Sequence, residues 1–195
     1  MSEENTKKPE INKKPVTIER AVSGDAEAIF EIKRQGWLNT YPNEDLGISV
    51  EYIRGRVEGE YGERIPRNIE RWRNKINITD GTKAIFVARI NGKVAGFVAP
   101  GFTDGQRRLG ALYVLPEAQG KGIGGGLMRK ALEWHGSDED VYLVVASYNQ
   151  NAIDFYKSFG FEETNRVVKD EGDVYGNTQI PEIEMVRKAD LNAIE

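Results

Sequence analysis

Five of the eight residues from Gln119 to Gly126 are glycines, and they stand where a strand-like run ends and a helical run begins. A glycine inside a helix costs about 1 kcal/mol relative to alanine. Several in succession therefore suggest that something must approach the backbone closely. Unpaired N–H groups at a helix N-terminus, with the positive end of the helix dipole, make a ready anion site, and a missing Cβ lets a pyrophosphate rest on them. A flexible turn is the bland alternative. Two other phosphate loops do not fit. A Walker loop needs Lys followed by Ser or Thr, whereas Lys121 is followed by Gly122. A dinucleotide loop would follow the first strand of a parallel βαβ unit, whereas a hairpin precedes this one.

The remaining inventory narrows the chemistry. The chain has 195 residues, no cysteine and one histidine, which excludes thiol catalysis and leaves almost nothing for a zinc centre, so no metal is expected. His135 falls at the end of the helix that follows the glycine loop, where a cation suits the dipole, and it is read as a helix-end residue rather than a base. The net charge of −4 argues against a nucleic-acid surface and suits cationic partners. No apolar run is long enough for a membrane span. Residues 1–15 are charged and lack the apolar centre of a signal peptide, so they read as a disordered leader on a cytoplasmic protein.

The elements that must hold the loop follow from the pattern of apolar residues. Val16 to Ala21 reads as a strand, and Ser23 as the N-cap of a helix carrying Ala28, Ile29, Ile32 and Trp37. The stretch from Tyr41 to Asn77 reads as a helical insert of poor periodicity, with pieces at Val50–Val57 and Asn68–Ile76. Ala84–Ile90 and Lys93–Phe102 are strand runs joined by Asn91-Gly92, a strong hairpin signal. Leu109–Leu115 is a third strand leading into the loop, and Leu127, Met128, Ala131 and Leu132 mark the helix after it. Val141–Ala146 reads as a buried strand, followed by a helix from about Asn151 that ends at Gly160. Phe161–Val168 and Ile180–Arg187 supply two closing strands around a Gly-rich turn. The fold class expected is α/β in the mixed α+β sense, one domain over residues 16–195 with a mostly antiparallel central sheet flanked by helices.

The segments LYVLPEAQGKGIGGGLM and NQNAIDFYKSFGF resemble the two signature regions of the GNAT superfamily of acyl-CoA N-acyltransferases. The first carries the Q/R-x-x-G-x-G/A pattern as Gln119, Gly122 and Gly124; the second carries Asn149, Ala152, Tyr156 and Gly160-Phe161 at the matching distance. The resemblance covers residues 16–188, closely after Lys83 and loosely before it. It implies that the backbone of Leu112, Tyr113 and Val114 pairs with the pantetheine arm of acetyl-CoA. Gln119, Gly120, Lys121, Gly122, Ile123, Gly124 and Gly125 would hold its pyrophosphate, and Asn149 would touch it near the opening between the central strands. Val114 N–H would polarise the thioester carbonyl. Lys121, Arg129 and Lys157 could reach phosphate, although lone basic residues near helix starts are usually just solvated.

By the same resemblance the reaction is direct attack of an amine on acetyl-CoA, with Tyr156 as general acid towards the leaving thiolate. The plain alternative for Tyr156 is a core aromatic beside Ile153 and Phe159. Members of the superfamily often place a basic Glu where Arg108 and Val144 stand here, so no base is nominated. Trp37 to Tyr41 resembles a substrate-side helix, which makes Trp37 and Tyr41 candidate acceptor contacts; core packing explains them equally well. The expected acceptor is a small cationic amine such as a polyamine. A protein N-terminal or lysine acetyltransferase and a non-catalytic acyl-CoA sensor are the alternatives. A homodimer is compatible with the sequence.

Overall fold

The computed structural model describes residues 16–167 and 180–190; the leader expected over residues 1–15 and the turn expected between the last two strands lie outside them. The strands are β1 (Val16–Arg20), β2 (Phe86–Ile90), β3 (Lys93–Thr103), β4 (Gln106–Val114), β5 (Val141–Ala146), β6 (Glu162–Val167) and β7 (Glu182–Arg187). They form one sheet in the order β1-β2-β3-β4-β5-β7-β6. Only β4 and β5 run parallel; every other neighbouring pair is antiparallel. The helices are α1 (Ala26–Thr40), α2 (Val50–Glu58), α3 (Ile65–Ile76), α4 (Ile123–His135) and α5 (Gln150–Lys157).

Each face of the sheet buries its own apolar layer. On one face α1, α2 and α3 bring Ile29, Trp37, Ile53 and Trp72 against Val87 and Phe97. On the other α4 and α5 bring Leu127, Met128 and Ile153 against Val98, Leu143 and Met185. The helical insert expected between Tyr41 and Asn77 is thus a packed layer, with α2 and α3 at the two expected pieces. In α3 the buried positions are Asn68, Trp72 and Ile76, a spacing of four whose first member is polar. Asn68 is tolerated there because its Nδ2 donates to Val57 O over 2.9 Å, which also ties α3 to the end of α2.

The helix after β1 begins differently from the expected Ser23 cap. A short turn at Ser23–Asp25 precedes α1, Asp25 accepts the Val22 N–H over 2.9 Å, and the Ser23 hydroxyl instead donates to Asn77 Oδ1. The Asn91-Gly92 hairpin forms as expected, with φ of 52° and 77° at the two positions. A second hairpin of the same kind, Asp104-Gly105 with φ of 51° and 76°, joins β3 to β4, so β4 starts earlier than its apolar residues suggest.

The feature that makes a site is in β4. Val98 stands opposite Leu112 but Pro100 opposite Leu109, so β4 spends one more residue than β3 over the same distance. Such a bulge bends its strand. Beside it, pairing of β4 with β5 stops at Leu109↔Leu143. Beyond those residues the two parallel strands separate, and the gap between them opens into a cleft.

Candidate active site

The cleft has a volume of about 1170 Å³ and runs from the N-terminus of α4, through the gap between β4 and β5, to the end of α1. That exceeds the usual range for a single small ligand, roughly 300–1,000 Å³. Two ligands meeting end to end would fit.

At one end lies the glycine loop. Gly122 is the N-cap of α4 in the left-handed conformation, φ 78°, and offers no side chain to cap the helix. The first intrahelical donor is Gly126 N–H, to Gly122 O over 3.0 Å, which leaves the N–H groups of Ile123, Gly124 and Gly125 for an external acceptor. A Cβ added at Gly120 or Gly122 would meet nothing within 4 Å, so both positions face open space. A Cβ on Gly126 would lie 2.6 Å from Ile18 Cδ1, whereas one on Gly124 would make only ordinary contact with the Phe155 ring at 3.6 Å. Gly120 and Gly122 thus present open backbone, and Gly126 also serves close packing on β1.

The residues around the loop brace it. Gln119 Nε2 donates to Val114 O over 3.2 Å, and Lys121 Nζ donates to Glu117 O over 2.6 Å, so that ammonium is turned onto the loop's own backbone. Lys157 pairs with Glu163 at 2.7 Å. Arg129 is the cation that stays by the helix start: its Nη1 is 3.4 Å from where a Cβ of Gly125 would be.

Along the gap, Leu115 N–H donates to Ala95 O across to β3. Backbone groups alternate sides along a strand. The N–H groups of Val114 and Leu112 consequently turn toward the gap. Asn149 follows β5 on the other side, where its side chain caps α5 by accepting the Ala152 N–H over 3.2 Å.

Tyrosines gather where the gap meets α1. Tyr41 and Tyr113 share a hydrogen bond of 3.0 Å between their hydroxyls, and Tyr148 donates its hydroxyl to Tyr41 O over 2.8 Å. Tyr113 occupies space that a side chain at position 36 would take: a Cβ on Gly36 would lie 2.4 Å from its Cδ1. Gly36→Ala should therefore displace the Tyr113 ring and the strand segment that carries it. The expected net loss of stability is about 1 to 2 kcal/mol, overpacking outweighing the gain in helix propensity, and weaker coenzyme binding should accompany it. Thermal melting with calorimetric titration of coenzyme A checks both.

Tyr156, on α5, lines the same cleft. Burial of its phenol pushes the pKa well above the ordinary value, and the nearby Tyr41 adds to the effect. Tyr113 is raised for the same two reasons in the same order. Tyr156 thus stays protonated throughout the neutral and mildly alkaline range. A phenol in that state can donate a proton but cannot accept one.

Trp37 and Tyr41 both line the cleft where it meets α1. Trp37 is also a core residue, 5% exposed, with its ring 4.9 Å from that of Tyr41. His135 lies outside the cleft, 4% exposed, with Nε2 3.2 Å from Arg108 O; burial lowers its pKa to about 4. It is neutral at pH 7 and holds the C-terminal end of α4 to β4.

The cleft also contains groups that sequence reasoning did not bring together. Arg108, Arg166, Glu182 and Glu184 line it together with Asp104 from the β3–β4 turn. Glu184 lies directly across from Val144 in the β5–β7 pairing. Among the described residues there is no group of three or more His, Cys, Asp or Glu that could hold a metal ion, and no helix long and apolar enough to cross a membrane.

Comparison with known proteins agrees with this geometry. Residues 81–163 match the model of the acetyltransferase (GNAT) domain. An uncharacterized N-acetyltransferase of Methanocaldococcus jannaschii is 36% identical over 108 residues, 51% of this chain and 47% of the relative. An N-alpha-acetyltransferase of Sulfurisphaera tokodaii is 33% identical over 95 residues, 41% of this chain and 57% of the relative. The chain thus spans about half the length of these curated relatives. Among solved structures, the PaiA N-acetyltransferase of Thermoplasma acidophilum in complex with coenzyme A superposes with a TM-score of 0.65 at 22% identity, covering 89% of this chain and 99% of that one. The likeness covers most of both chains, so the fold is shared.

Proposed function

We propose, because residues 81–163 match the model of the acetyltransferase (GNAT) domain, that the protein moves an acetyl group from acetyl-coenzyme A to a primary amine. The observation that carries this reading is the continuity of one cleft from an uncapped, glycine-bearing helix N-terminus through split parallel strands to a buried phenol. The residues present fit the coenzyme. Open backbone at Gly120 and Gly122 with the α4 donors suits a pyrophosphate, and Arg129 adds a cation beside it. The strand edge at Leu112 to Val114 suits the amide-bearing pantetheine arm as an added strand would.

In this reading the amine attacks the thioester carbonyl. Val114 N–H stabilises the charge that develops on the carbonyl oxygen, a contribution of about 3 kcal/mol for comparable donors. Tyr156 gives its proton to the departing thiolate and regains one from the nitrogen that has attacked. The raised phenol pKa keeps the proton on Tyr156 at neutral pH, so it is there to be given, while making the phenol a weaker acid than an ordinary tyrosine.

The acceptor we favour is a small cationic amine such as a polyamine, on the strength of the carboxylates Asp104, Glu182 and Glu184 at the far end of the cleft. A second reading, acetylation of protein N-termini, draws on the name of the Sulfurisphaera tokodaii relative. Thiol release from acetyl-CoA with a panel of polyamines, amino acids and N-terminal peptides tests both. Release with none of them would leave coenzyme binding without transfer and overturn the enzymatic reading.

Tyr156→Phe should lower turnover at least about tenfold with little change in coenzyme affinity, since it removes a proton donor and almost no volume. Steady-state kinetics beside calorimetric binding make the check. Unchanged turnover would return Tyr156 to the core, where its ring already packs 6.0 Å from that of Phe161.

A further inference from the structure

We propose that Glu184 is the proton acceptor for the incoming amine, an inference that rests on the transferase reading above and assigns a residue to the step that reading leaves open. An amine with a pKa near 10.4 is almost entirely ammonium at pH 7, with roughly one molecule in 2,500 neutral. An enzyme that binds only the neutral form wastes the rest of the pool. One that captures the ammonium and removes a proton in place needs a proton acceptor beside the reacting centre, and a carboxylate also attracts the cation.

Three described carboxylates line the cleft, and their settings differ. Asp104 is on the exposed turn between β3 and β4, and Glu182 is half-buried opposite Ala146 near the end of β5. Glu184 is 4% exposed and sits opposite Val144, the first β5 residue beyond the last β4–β5 pair. It therefore occupies the floor of the cleft at the point where the strands part, on the face that α1 covers. Its partner in the pairing, Val144 on β5, lacks a carboxylate, as does Arg108 at the root of the split on β4.

The contacts of Glu184 orient it and leave it an acceptor position. Oε2 receives Arg108 Nη2 at 3.1 Å and lies 3.6 Å from Arg166 Nη1. Among the described residues Oε1 receives only the Thr164 hydroxyl, at 3.3 Å. A carboxylate oxygen accepts two hydrogen bonds, so Oε1 can take an ammonium N–H or a water that bridges to one. Arg108 is held in turn by Gln106 Oε1 at 2.8 Å and lies over the Tyr142 ring at 5.7 Å, which keeps Oε2 engaged, and Glu184 itself is among the residues that line the cleft. The other charged or titratable groups at this end are Asp104, Glu182, Lys33 and Tyr41. Lys33 Nζ is 4.8 Å from the Trp37 ring centre.

The protons balance. The ammonium gives one to Glu184, and the neutral amine forms the C–N bond as the C–S bond breaks. The attacking nitrogen then loses a second proton, which returns Tyr156 to its neutral form after that residue has protonated the thiolate. Glu184 releases its proton to solvent, so each turnover yields one amide, one thiol and one proton.

The test is the pH dependence of kcat/KM for the acceptor in Glu184→Gln, which keeps the shape and can still accept from Arg108. When the carboxylate takes the proton, wild-type kcat/KM stays level between pH 7 and 9, because the reacting complex holds the same protons as enzyme plus ammonium. The Gln variant must draw on neutral amine. Its kcat/KM should be lower by about 100-fold at pH 7, rise about tenfold per pH unit and approach wild type near pH 9, with acetyl-CoA affinity unchanged. Glu184→Asp should keep the level profile. Should the single variant fold poorly, Arg108→Gln/Glu184→Gln removes both charges of the buried pair and should show the same rising slope. Parallel profiles for wild type and either Gln variant would overturn the proposal and make Glu184 a strap between β4 and β7. Wild-type protein that acetylates no amine at all would overturn the transferase reading itself, and this assignment with it.

Discussion

Gly122→Asp should abolish acetyl-CoA binding, by at least about 100-fold in Kd, while the protein melts within a few degrees of wild type. The two halves of this expectation have separate causes. Gly122 caps α4 in the left-handed conformation, and a Cβ there enters open space. Asp tolerates that conformation better than most residues, and as an N-cap its carboxylate can accept the orphan N–H groups of the first turn. Backbone strain of about 1 to 2 kcal/mol and a cap worth about 1 kcal/mol nearly cancel. The carboxylate then fills the anion site with a fixed negative charge. Two unit charges 4 Å apart near a protein surface repel by about 4 kcal/mol, close to 1,000-fold in affinity, and the loss should shrink in high salt. Gly122→Asn, with the same shape and no charge, should bind far better than the Asp variant. Equal binding by Gly122→Asp and wild type in calorimetric titration would remove the loop from the coenzyme site. Gly124→Asp is a poorer probe, since its side chain would start against Phe155 and Val114 rather than in the open.

Much of the scaffold was legible because its cues are local. Val141–Ala146 is a continuous apolar run and coincides with β5; Asn91-Gly92 makes the turn that its residue types demand. Glycine at 122 ahead of an apolar helix marks the start of α4. What escaped was disguised by partners distant in sequence. Gln106, Arg107 and Arg108 do not look like a strand, yet they begin β4. Arg107 is satisfied by Asp138 at 2.7 Å and Arg108 by Glu184, 76 residues away. Asp104-Gly105 carried the same hairpin signal as Asn91-Gly92 and would have placed the start of β4 correctly. Asn68 hid the period of α3 because its polarity is answered by a carbonyl on α2. Glu184 could be found only from the register of β7 on β5, and no short-range pattern encodes that pairing. Glycines 124 to 126 show the converse. Their spacing suggested one cause, and the fold assigns them several.

Trp37→Ala should cost about 3 to 5 kcal/mol of stability, as truncation of a buried aromatic does, and should lower the melting temperature by roughly 6 to 20 °C for a domain of this size. The ring is 5% exposed, packs edge-on against Tyr41 and carries the Lys33 ammonium 4.8 Å from its centre. Removing it unseats both neighbours. Because Trp37 and Tyr41 also line the cleft beyond the strand split, we expect a second consequence well below the melting point: acceptor KM raised at least fivefold, with coenzyme KM near wild type. The coenzyme is bound by β4 and α4 in this reading, and neither depends on the Trp37 ring for its backbone course. Tyr41 is the link between the two effects, since its hydroxyl is bonded to Tyr113 on β4 and its carbonyl accepts from Tyr148 beyond β5. Trp37→Phe, which refills much of the volume, should recover most of the stability. If it also restores acceptor KM, the wall is a matter of packing behind Tyr41; if acceptor KM stays high, the indole itself meets the amine. A large loss of stability in Trp37→Ala with both KM values unchanged would confine Trp37 to the core and sink its place in the acceptor wall.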